Sequence, residues 1–217
     1  MEKSRDAVST VGGADGPTAI FIANQSSKLT LKQKLQRLKN KIKRTYVEKT
    51  INGSKHNMDE VIEYIKKKYG FIEVSPDSSE FLEEYKQMRV SFIIQYAPEL
   101  LGEYAVLPEL KSTSQEEIKQ HITCCEERTK RAQEIPQTEF DIDFHKFKRE
   151  LDNPDDTMDI IIEKKYSYIS GGASGSRKTI KEFDRIYKDI YRYYGVTQED
   201  INNKSERYND LVRTLSQ

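Results

Sequence analysis

Leu31, Leu35, Leu38, Ile42 and Tyr46 recur at intervals of four, three, four and four, the spacing that lines one face of a helix. This pattern predicts an amphipathic helix over about residues 29–49. Further along, Asn57 with Glu60 reads as a capping box, and Val61, Ile62, Ile65 and Tyr69 follow at helical period up to Gly70. Asp77 and Glu80 repeat the cap pattern ahead of a helix reaching Tyr96, and Pro98 ends it. Ser114 and Glu117 open another, running to about Glu134.

The period then changes to two. Phe140, Ile142 and Phe144 alternate with Asp141, Asp143 and His145, and Met158, Ile160 and Ile162 form a second alternating run that could reach Ile169. The turn-forming Asp152-Asn153-Pro154-Asp155 between them makes an antiparallel pair the natural arrangement. Phe71–Val74 is a short strand candidate. Residues 171–176 read as a glycine-rich loop, followed by a helix to Tyr194 striped by Phe183, Tyr187, Ile190, Tyr191 and Tyr194. A last helix runs from Thr197 to about Leu215. The class is α+β, a helix-dominated domain at 51–217 with a small antiparallel sheet. A basic helix at 29–50 and an extended, glycine-broken segment at 1–28 precede it.

Charge sharpens this division. The 217 residues are neutral overall, yet residues 1–50 hold eleven Lys/Arg against four Asp/Glu. The remainder must therefore be acidic by seven charges. Lys28 through Arg44 contains eight basic residues and no acidic one. The simplest expectation is that this helix packs its leucines on its own acidic domain. An external partner reached through the arm is expected to be a protein. Nucleic acid or an anionic membrane surface is the weaker alternative, because the stripe lacks Trp and carries no interleaved aromatics for base stacking.

Mean hydropathy is −0.81, and no window of spanning length is free of charge. The expectation is a cytoplasmic protein that is not integral to a membrane. The adjacent Cys124 and Cys125 read as reduced thiols, since a bond between neighbours closes a strained ring. With His121 they share one helical turn, too few ligands for a structural zinc site. No nucleophile–base set can be assembled from three histidines and no nucleophile elbow, so no catalytic residue and no cofactor is expected.

Two segments carry candidate chemistry. The first is Gly12-Gly13-Ala14-Asp15-Gly16-Pro17-Thr18 within residues 6–23. It resembles the GGADGPT signature of the beta subunit of sodium-translocating carboxylate decarboxylases. The resemblance covers under a tenth of the chain. It implies a cation-binding role for Asp15, or an association with such a decarboxylase. The second is the run Ser170 to Thr179. Placed between a strand and a helix, Gly172, Gly175, Arg177 and Lys178 could cradle a phosphate or carboxylate at the helix start. The spacing departs from a phosphate loop, which needs Gly directly before Lys. The leading functional expectation is a soluble, non-enzymatic binding or regulatory protein. A binder of, or enzyme on, an anionic small molecule at 171–179 is a further alternative.

Overall fold

A computed structural model describes residues 7–13 and 16–23 as backbone, and residues 30–108 and 114–216 with their side chains. The chain is mixed α+β with helices in the majority, and it divides into two compact units. One comprises residues 1–28 and 76–142, the other 29–75 and 143–217.

In the first unit, β1 (Ala7–Gly13) and β2 (Gly16–Ala23) pair antiparallel, Ala7 opposite Ala23. The long helix α3 (Ser79–Tyr96) starts one residue later than the sequence pattern placed it. Ser78, rather than Asp77, caps it by accepting a hydrogen bond from the Phe81 amide. A 3-10 segment (Pro98–Tyr104) follows, and then α4 (Gln115–Glu134), capped by Ser114 as expected. Buried Arg89 ties the unit together. Its Nε donates to the Phe140 carbonyl and its Nη2 to the carbonyls of Ile135 and Pro136, each at 2.7 Å. A guanidinium suits this position because its fork serves several acceptors at once.

The second unit is built on a four-stranded antiparallel sheet in the order β4 (Ile72–Glu73), β5 (Phe144–Lys148), β6 (Thr157–Glu163), β7 (Tyr168–Ser174). Helices α2 (Met58–Tyr69) and α5 (Arg177–Tyr194) cover it. Val61, Ile62 and Ile65 of α2 and Ile186 and Ile190 of α5 form one core with Phe147, Met158, Ile160, Ile162 and Ile169 of the sheet. The capping box of Asn57 with Glu60 is present. The period-two signal at Phe140 and Ile142 reflects burial alone, since strand pairing begins only at Phe144.

Two sequence expectations change here. The strand after Met158 ends at Glu163. The Glu163 carboxylate, fully buried, accepts hydrogen bonds from the amides of Asp143, Lys165 and Tyr166, and so holds a turn that sends the chain back as β7. The last helix is two helices, α6 (Gln198–Asn203) and α7 (Glu206–Ser216), broken where Lys204 takes a left-handed conformation. A short pair, β3 (Ser54–Lys55) with β8 (Gly195–Val196), completes the unit.

Helix α1 (Leu31–Thr50) belongs to this second unit. Thr30 caps it with a box closed by Gln33, and its last turn packs Val47 against Val196, Tyr208, Leu211, Val212 and Leu215.

Candidate functional site

The α1 stripe points outward. Leu31 is 80% exposed, Leu35 59%, Leu38 54%, Ile42 62% and Tyr46 67%, whereas Val47 is only 7% exposed. The expectation that these leucines pack on their own domain is corrected. The helix is attached by the side opposite its apolar line, and only near its C-terminal end. Turning about 100° per residue places Lys32 and Lys39 along one margin of the stripe and Lys34 and Lys41 along the other. Both arginines, Arg37 and Arg44, fall on the far side, where Arg44 bridges Glu48 at 2.9 Å. The sequence pattern identified the stripe, but the residue that decides its orientation is Val47.

The glycine-rich segment is not a loop. Gly171 and Gly172 lie within β7, opposite Ile160 and Asp159 of β6. A Cβ at Gly171 would meet the Asp159 carbonyl at 2.5 Å, so glycine here permits close strand approach. The α5 N-terminus is filled from within. Ser176 caps it, and Asp156 accepts hydrogen bonds from the Ser176 amide at 2.8 Å and from the Thr179 hydroxyl. These contacts, the Thr179 hydroxyl foremost, hold the Asp156 carboxyl below the usual carboxylate range. Gly175 adopts φ +110°, and a Cβ there would fall 2.0 Å from Asp156 Oδ1. An anion directed at this helix start would face a resident carboxylate, so Gly172, Gly175, Arg177 and Lys178 do not form a vacant cradle. Asp156 is the residue that sequence reading missed, for it lies in the preceding β5–β6 connection.

Asp15 lies outside the described residues. His121, Cys124 and Cys125 do share α4, but His121 Nδ1 lies 3.3 Å from the Pro108 carbonyl, and Cys125 is buried. Among the described residues, no group of His, Cys, Asp and Glu is arranged to hold a metal ion.

The Asp189 cluster is internally satisfied. Asp189 Oδ2 accepts hydrogen bonds from the Tyr64 hydroxyl at 2.5 Å, the Tyr69 hydroxyl at 2.6 Å and Lys68 Nζ at 2.8 Å. Burial alone would raise its pKa, but the three donors outweigh that and hold it low. Burial, with the neighbouring carboxylate, pushes the Tyr69 hydroxyl up to about 12. In the first unit a cavity of about 370 Å³ lies beside the 3-10 segment and α4, with Leu101, Tyr104, Lys130 and Glu134 among its walls. A larger one of about 620 Å³ is lined by Tyr85, Arg89, Thr129 and Gln133, among others. Three bonds of the Arg89 guanidinium are already committed to backbone carbonyls.

No family model, curated protein or solved structure matches this chain. The outward face of α1 is therefore read on its geometry alone. No helix among the described residues is long and apolar enough to cross a membrane.

Proposed function

We propose that this chain is a binding protein whose contact element is α1. The observation that supports the reading is the outward stripe of Leu31, Leu35, Leu38, Ile42 and Tyr46 on a helix with eight Lys/Arg and one Glu. Leaving five large apolar side chains in water along one line forgoes burial free energy of about 1.5–3 kcal/mol per side chain. A contiguous exposed line of this kind marks an interaction surface. The back-side attachment through Val47 presents it without involving it in the fold. An association with a sodium-pump decarboxylase rests on residues 6–23 alone and is the second reading.

The test is the state of the full chain in a native extract. The wild type should leave the free 25.3 kDa pool, either in a heavier assembly or in a sedimenting fraction. The L35S/L38S variant should return to the free pool with unchanged thermal stability. Recovery of the wild type as free chain, or of the variant in the same bound state, would overturn the proposal.

A further inference from the structure

Resting on that reading, we infer that the surface α1 meets is an anionic lipid bilayer, with the helix lying flat in the headgroup region. The argument is the order of groups across the exposed face. Apolar side chains run down the centre, Lys32 and Lys39 line one margin and Lys34 and Lys41 the other, and no acidic residue occurs between Lys28 and Val47. Lysine stems at those margins can lie along acyl chains while their ammonium groups reach the phosphates. A helix of low net hydrophobicity with leucines on one face and lysines beside them is the composition of an interfacial element.

Competing occupants fit less well. Nucleic acid would need the cations at the centre of the contact, and it would leave the leucine line in water. A second copy would bring two helices, each with eight Lys/Arg and one Glu, face to face. A protein interface draws its binding energy from Trp, Tyr and Arg and is depleted in Lys. Here Tyr46 is the one aromatic on the stripe, both arginines lie on the far side, and the margins are lysine. Tyr46, beside the attachment point at Val47, is placed at headgroup level where the helix joins its unit.

The association requires both apolar contact and charge, so it is reversible and salt-sensitive. The experiment is sedimentation of the purified full chain with vesicles of phosphatidylcholine alone or mixed with phosphatidylserine. Binding to the mixed vesicles should exceed binding to phosphatidylcholine by about tenfold or more at low salt, and it should fall as salt rises. L35S/L38S and K32Q/K34Q/K39Q/K41Q should each lose about tenfold, with circular dichroism and melting temperature unchanged. Failure to sediment with either vesicle overturns the inference. So does sedimentation indifferent to L35S/L38S, which would mean charge alone acts. If vesicles fail while the wild type still leaves the free pool of the extract through its leucines, the lipid inference falls and the binding reading stands, with a protein as the occupant.

Discussion

Asp200 shows how much one short side chain can organise. Its Oδ2 accepts hydrogen bonds from the Thr197 amide at 2.9 Å and the Thr197 hydroxyl at 2.8 Å, and its Oδ1 accepts one from the Ser205 hydroxyl at 2.7 Å. It thus closes the start of α6 and reaches across the break to the start of α7. The Thr197 amide contributes most to bringing its pKa down to about 2. The sign of the pH effect follows. In the unfolded chain an aspartate takes up its proton near pH 3.9, before the folded one does. Over that window the unfolded state holds more protons, so stability falls as pH falls. The contribution of Asp200 should be fully present above about pH 4 and lost on acidification to about pH 2. Chemical denaturation at a series of acid pH values checks this, and D200N should flatten that part of the curve.

Among the elements, α1 separates what a pattern can tell from what it cannot. Its helical period was legible, as were the caps at Asn57 and Ser114, because each depends on a few neighbouring side chains; the Thr30 cap of α1 was not read from the sequence. Whether the apolar line is covered depends on Val47 meeting Tyr208 and Leu211, more than 150 positions away. Local pattern carries no trace of that contact. β7 was hidden for a related reason. Glycines favour loops in isolation, and only the approach of the Asp159 carbonyl shows that Gly171 is needed inside a strand. The break inside the last predicted helix was missed because nothing in Lys204 itself demands a left-handed turn. At 171–179 the local pattern gave no sign of Asp156, which reaches the helix start from a different connection. The covered and uncovered sides of α1 predict opposite mutational outcomes. V47A should cost about 2 kcal/mol, as a buried aliphatic truncation does. L35S/L38S should stay within about 0.5 kcal/mol of the wild type, as surface changes do. Urea denaturation of the two variants decides it.

At the scale of the whole molecule, the second unit is interrupted in sequence by residues 76–142 of the first. The interruption falls between two paired strands. Glu73 faces Phe147, and the Val74 amide donates to the Lys146 carbonyl at 2.8 Å. Replacing residues 76–142 with a short hairpin turn should therefore leave the sheet, α5 and the α1–α7 contact in place. Shortening that closure from about 70 residues to about 5 spans nearly four doublings of length and removes about 2 kcal/mol of loop-closure cost. Amide hydrogen exchange of the shortened chain should show β5, β6 and β7 still protected. Loss of that protection would show that the sheet depends on the excised segment.

The pairing of β4 with β5 also bears on how the chain is made. His145 meets Glu73 across 72 positions at 2.7 Å, and Val47 waits for Leu211. As the polypeptide leaves the ribosome, α1 emerges well before Tyr208, Leu211 and Val212, the residues that fasten it. During that interval a basic, leucine-striped helix is displayed on a growing chain with nothing behind it. If the bilayer is the surface α1 meets, that helix is open to it before the fold is complete.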